Sequence, residues 1–177
     1  MLARDAIESL NLERLLIVPT GIQPLKAEKT GGATAQQRVE MAKIAFAGED
    51  LVLVDETEAN RPGLSFTVDT LEAYASQNPG AELYLLLGRD SFESLDRWKN
   101  PARIRELCTI AILERGEGAA PVEDGVVVVT SRRVDVSSSE IRDRRKAGKS
   151  ISGFVPDGVL GYIEKNKLYA PKGDSQE

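Results

Sequence analysis

The chain of 177 residues predicts an α/β fold built on a doubly wound parallel sheet, and three observations carry that expectation. Short apolar runs alternate with helical patterns in the rhythm of repeated βα units. The run Leu15 to Val18 is apolar throughout rather than alternating, as strands buried on both faces are. Val18-Pro19-Thr20-Gly21, Gly88-Arg89-Asp90-Ser91 and the heptad at 136–142 each follow a strand candidate, where such a sheet places its ligand cleft. The length suits one domain over residues 1–170 with a solvated tail at 171–177, and 41% hydrophobic content supplies a core.

The elements follow in order. Ala3, Ala6, Ile7 and Leu10 share one helical face, and residues 15–18 form the first strand-like run. Lys26 to Gly32 reads as a loop. Thr34 with Gln37 then makes a capping box for a helix carrying Val39, Ala42, Ala45 and Phe46 and stopping at Gly48. Strands are expected at 51–54, 82–87, 109–113 and 125–129, with helices near 68–76 and 102–107 between them. A helix over 140–147 with Gly148 at its C′ position comes next. Phe154-Val155-Pro156 opens a last helix through Val159, Tyr162 and Ile163, ending near Leu168-Tyr169.

Charge and composition exclude several classes. With 23 Lys and Arg against 28 Asp and Glu, the net charge of −5 argues against nucleic acid as a general partner. No apolar stretch approaches membrane-spanning length, and Arg4, Asp5, Glu8, Glu13 and Arg14 break up what a signal peptide would need, so a cytoplasmic protein is expected. Cys108 lies in an apolar run of a chain without histidine, which fits a buried strand residue rather than an activated nucleophile. The basic group Arg132, Arg133, Arg144, Arg145, Lys146 and Lys149 reads as a solvated face with some long-range attraction for polyphosphate. Ala147-Gly148-Lys149-Ser150 is no P-loop, because Asp143 stands where the first glycine belongs, and Gly116-Glu117-Gly118 is too short for a dinucleotide fingerprint.

The heptad Val136-Ser137-Ser138-Ser139-Glu140-Ile141-Arg142 carries the most chemistry. Ser137 can cap, Glu140 three residues on can close a capping box, and Arg142 falls in the same first turn. A helix start of this kind offers unpaired N–H groups, the positive dipole end, hydroxyls and a guanidinium to one anion. The same residues also suit an ordinary N-cap beside a surface arginine.

From the heptad through Gly148 to Val155-Pro156, Tyr162-Ile163 and Leu168-Tyr169, the chain resembles the C-terminal end of bacterial nicotinate-nucleotide adenylyltransferases, with their ISSTxIR, LVPxxVxxYI and LY patterns. Val18-Pro19-Thr20-Gly21 with Pro24 and Lys26 is similar to their VPxGxPPHK loop. Arg61 to Leu71 (RPGLSFTVDTL) is similar to RxGPSYTxDTL, and Gly88-Arg89-Asp90-Ser91 with Trp98 to GxD and a loop tryptophan. The matches span nearly the whole chain in the family's order.

The resemblance implies a Rossmann-like nucleotidyltransferase that moves the adenylyl group of ATP, brought with Mg²⁺, onto nicotinate mononucleotide, releasing pyrophosphate. By resemblance Ser137, Ser138, Ser139 and Arg142 meet the ATP phosphates and Lys26 faces them from its loop, with Arg142 and Lys26 as the catalytic cations. Thr67 and Trp98 would hold the pyridine ring and its carboxylate, and Asp90 the ribose hydroxyls. Read singly, Lys26 also fits a solvated loop charge, Trp98 a packing residue and Thr67 a plain N-cap.

The chain departs from the family at its start. The strand and GGTFDPxHxGH loop are absent, and residues 1–5 align with the helix that follows them. The expectation is a longer functional protein, a sheet whose first central strand is missing here, and little or no turnover by this form. Leu25 replaces the usual His, Phe66 the usual Tyr, and Arg115-Gly116 lacks an intervening Pro. Two other readings stay open: a related transferase acting on nicotinamide mononucleotide or phosphopantetheine, and a non-catalytic nucleotide-binding domain. Oligomeric state is not read from the sequence.

Overall fold

Parallel strands need crossover connections, and helical segments over residues 89–107 supply the one between the strands at 84–88 and 109–115. The computed structural model describes residues 2–22, 32–115, 125–131 and 136–171. In order these form α1 (Leu2–Leu10), β1 (Leu15–Ile17), α2 (Ala35–Ala45), β2 (Val52–Val54), α3 (Thr57–Asn60), α4 (Thr67–Gln77), β3 (Tyr84–Gly88) and α5 (Arg89–Glu93). A 3₁₀ turn (Leu95–Arg97), α6 (Pro101–Leu107), β4 (Thr109–Arg115), β5 (Val126–Ser131), α7 (Ser138–Lys146) and α8 (Asp157–Lys165) complete the chain. Among the described residues no helix is long and apolar enough to cross a membrane.

The chain folds as two compact units, residues 1–15 with 64–134 and residues 16–63 with 135–177. The first holds the sheet β3–β4–β5, parallel throughout, with Tyr84 to Gly88 opposite Thr109 to Leu113 and Ile110 to Arg115 opposite Val126 to Ser131. This register brings Gly88 and Leu113 level at the carboxyl end of the sheet, so α5 leaves directly from the edge where ligands bind in open α/β sheets. Val68, Leu71, Leu87, Leu95, Ile104, Cys108, Ile110 and Ile112 form the core of this unit. Ile110 and Ile112 on one face and Ala111 on the other are 1%, 0% and 0% exposed, as expected of a central strand covered on both faces.

The second unit holds the two-stranded sheet β1–β2 and a core of Ile151, Val159, Ile163 and Leu168, against which Met41, Ile44, Ile141 and Phe154 pack. Thr34 caps α2 with the expected reciprocal box: Gln37 N–H donates to Thr34 Oγ1 (3.1 Å) and Thr34 N–H to Gln37 Oε1 (2.9 Å). α8 approaches α2 so closely that a Cβ on Gly158 would meet Ile44 Cγ2 at 2.7 Å. Gly158→Ala is therefore expected to lower stability by about 1–2 kcal/mol, the strain of overpacking outweighing the helix propensity of alanine. Chemical denaturation checks this, and the loss from Gly158→Ala should be smaller when it is made in an Ile44→Ala background, which lacks the Cγ2 methyl.

Three elements were absent from the sequence expectation: α3, α5 and the 3₁₀ turn, of four, five and three residues. None is long enough to show a period. α8 also stops at Lys165 rather than near Leu168. Lys167 takes φ 50°, Leu168 N–H donates to Ile163 O (2.9 Å) and Lys167 N–H to Glu164 O (3.1 Å). This is a Schellman closure without glycine, and it turns Leu168 back into the core.

Candidate functional site

The phosphate-type residues lie on the second unit. Ser137 is the N-cap of α7, in extended backbone (φ −116°, ψ 148°), and its Oγ accepts from Glu140 N–H at 3.1 Å. The reciprocal half of the expected capping box does not form, and the exposed Glu140 carboxylate stays off the Ser137 N–H. That is a correction to the sequence reading, and it leaves the Ser137 N–H uncovered by that side chain. Arg142 Nη2 donates to Ser139 Oγ (3.0 Å), folding the half-buried guanidinium back along the first turn. Exposed Ser138 and Ser139 therefore sit beside a fixed cation and the positive end of a nine-residue helix. The far end of α7 closes as expected on Gly148 (φ 66°), with Lys149 N–H donating to Arg144 O (2.8 Å) and Gly148 N–H to Arg145 O (3.0 Å).

The loop after β1 is held by a contact no sequence pattern announced: Arg38 Nη2 donates to Gly21 O at 3.1 Å. Lys26, together with Pro24 and Leu25, lies outside the described residues, as do Gly116-Glu117-Gly118, Arg132 and Arg133.

Thr67, Asp90 and Trp98 lie on the first unit. Thr67 is the first helical residue of α4, with Phe66 as N-cap, so it is not the cap residue. Half-buried, its hydroxyl takes part in no hydrogen bond among the described residues. Asp90 stands exposed in the first turn of α5, two residues beyond the end of β3. The neighbouring Arg89 pairs with Glu114 of β4 and anchors α5 to the sheet. Trp98 follows the 3₁₀ turn, its N–H donating to Leu95 O (2.9 Å), and its half-buried ring packs on the core of the unit while part of it stays open. Phe66, Phe92 and Trp98 flank that same core, so the segments bearing all three candidates border one apolar body.

Cys108 has no place in this chemistry. It is buried, its thiol donates to Ile104 O (3.2 Å), and burial pushes its pKa up to about 11. A thiol in that state supplies almost no thiolate near neutral pH. Among the described residues, no group of three Cys, Asp or Glu side chains is placed to hold a metal ion.

The Cytidylyltransferase-like family model matches residues 1–144. A protein of Gemmatimonas aurantiaca named "Probable nicotinate-nucleotide adenylyltransferase" is 42% identical over 99% of this chain and 88% of its own length. One of Roseiflexus sp. with the same name is 36% identical over 95% and 88%. In structure the chain is similar to Plasmodium falciparum nicotinic acid mononucleotide adenylyltransferase complexed with NaAD, at a TM-score of 0.74 and 18% identity over 93% of this chain and 87% of that one. The described residues that carry the resemblance in sequence thus sit on the expected α/β scaffold, and the chain belongs to the Cytidylyltransferase-like family, among its nicotinate-nucleotide adenylyltransferases.

Proposed function

We propose that the protein transfers the adenylyl group of ATP to nicotinate mononucleotide, giving nicotinate adenine dinucleotide and pyrophosphate in NAD biosynthesis. The observation that carries this reading is the near full-length relation to nicotinate-nucleotide adenylyltransferases. In the reaction, a phosphate oxygen of the mononucleotide bonds to the α-phosphorus of ATP as the bond from that phosphorus to the bridging oxygen breaks. Pyrophosphate carries the electron pair away, and no covalent link to the protein is needed.

The protein's part is to hold both nucleotides in line and to offset the charge that develops on the phosphates. Ser137, Ser138, Ser139 and Arg142 would do so from the start of α7, whose donors are already fixed by the cap and by the Arg142–Ser139 bond. Lys26 would add a second cation. Mg²⁺ enters as part of the ATP substrate, held by phosphate oxygens. On the other nucleotide, Trp98 would stack on the pyridine ring, the Thr67 hydroxyl would donate to its carboxylate, and Asp90 would accept from the ribose hydroxyls. A cytoplasmic setting belongs to the same reading, since both substrates are charged phosphates that do not cross membranes unaided.

Trp98 is the chain's single tryptophan, so its emission reports directly on the acceptor site. Titration with nicotinate mononucleotide is expected to quench it at lower concentration than nicotinamide mononucleotide does. Equal or reversed potency would favour another acceptor.

A further inference from the structure

Lys99 stands one residue beyond Trp98 and reaches across to the start of α4. Its Nζ lies 2.8 and 3.1 Å from the two carboxylate oxygens of Asp69 and 4.6 Å from the centre of the Phe66 ring. Phe66 is the N-cap of α4, Thr67 follows it, and Asp69 lies in the first turn, where a carboxylate is favoured by the helix dipole. One ammonium therefore ties the tryptophan-bearing segment to the threonine-bearing helix start, across thirty residues of sequence. Trp98 is otherwise held at the backbone by its bond to Leu95 O, and Asn100 in left-handed backbone (φ 50°) soon redirects the chain into α6. The Lys99 and Asp69 side chains are 48% and 38% exposed, so the pair contributes little to overall stability. What it determines is where the segment lies.

We propose that Lys99 is a positioning residue for the acceptor: with Asp69 and Phe66 it holds the Trp98 ring and the Thr67 hydroxyl at the separation that one pyridine carboxylate requires. This rests on the acceptor-site reading above. Lys99 does not touch the substrate; it acts through Trp98.

The test uses the full chain with Lys99→Met, Asp69→Asn, both together, and Lys99→Arg. In the unliganded protein, acrylamide quenching of Trp98 is expected to rise and its anisotropy to fall in the first three, and to stay near the parent in Lys99→Arg. Each single change should raise the Kd for nicotinate mononucleotide by about 2- to 5-fold, with the double no worse than the weaker-binding single. ATP affinity should hold and Tm should move by less than about 2 °C. Unchanged Trp98 mobility in both single variants overturns the proposal. So does a rise in Kd with Lys99→Met but not with Asp69→Asn, which would place Lys99 on the substrate itself. If the mononucleotide leaves Trp98 emission untouched while the mobility changes appear, the clamp stands and the acceptor-site reading falls.

Discussion

Replacing Arg142 with alanine is expected to lower kcat/KM for ATP by about 10²–10³-fold, the loss typical of removing one preorganised electrostatic donor from developing phosphate charge. Stability should hardly change, because the side chain is half-exposed and its one described bond is to the Ser139 hydroxyl. Arg142→Lys should recover only part of the loss, since a point charge cannot reproduce the paired N–H groups of the guanidinium. Single-turnover kinetics, with the protein in excess over the mononucleotide and ATP varied, provide the check. Unchanged kinetics in Arg142→Ala would return Ser137 to an ordinary N-cap and the arginine to the surface.

Trp98→Ala should raise the KM for nicotinate mononucleotide by about 5- to 150-fold, the range that 1–3 kcal/mol of stacking implies, and leave the KM for ATP nearly unchanged. The ring also packs on the core around Leu95 and Ile104, so the truncation must be accompanied by a melting curve. Trp98→Phe keeps an aromatic face and should fall between the two. An equal loss for both nucleotides in a folded variant would make Trp98 a packing residue only.

The sequence was most informative where structure is local. The Thr34–Gln37 box, the Ser137 cap and the Gly148 closure depend on residues within a few positions of one another, and all three form where their spacing places them. Glu140 shows the limit of that logic: it has the right spacing for a box, yet its side chain does not complete one. Thr67 was legible as a helix-start residue but not as N1, because Phe66 takes the cap position without any side-chain bond to reveal it. Lys167 ends α8 in a conformation normally left to glycine, and nothing in its residue type announces that. The long-range contacts of Arg38 with Gly21, Arg89 with Glu114 and Lys99 with Asp69 join residues 17, 25 and 30 positions apart. No periodicity links such pairs, so only the folded chain brings them out.

The most direct test of adenylyl transfer to nicotinate mononucleotide follows label from the α-phosphate of ATP. With the protein in excess over acceptor, even slow chemistry leaves product within one turnover. Label is expected in nicotinate adenine dinucleotide, with unlabelled pyrophosphate released in equal amount and much slower transfer to nicotinamide mononucleotide. Faster transfer to nicotinamide mononucleotide or to phosphopantetheine, or a failure of nicotinate mononucleotide to bind at all, would contradict the assignment.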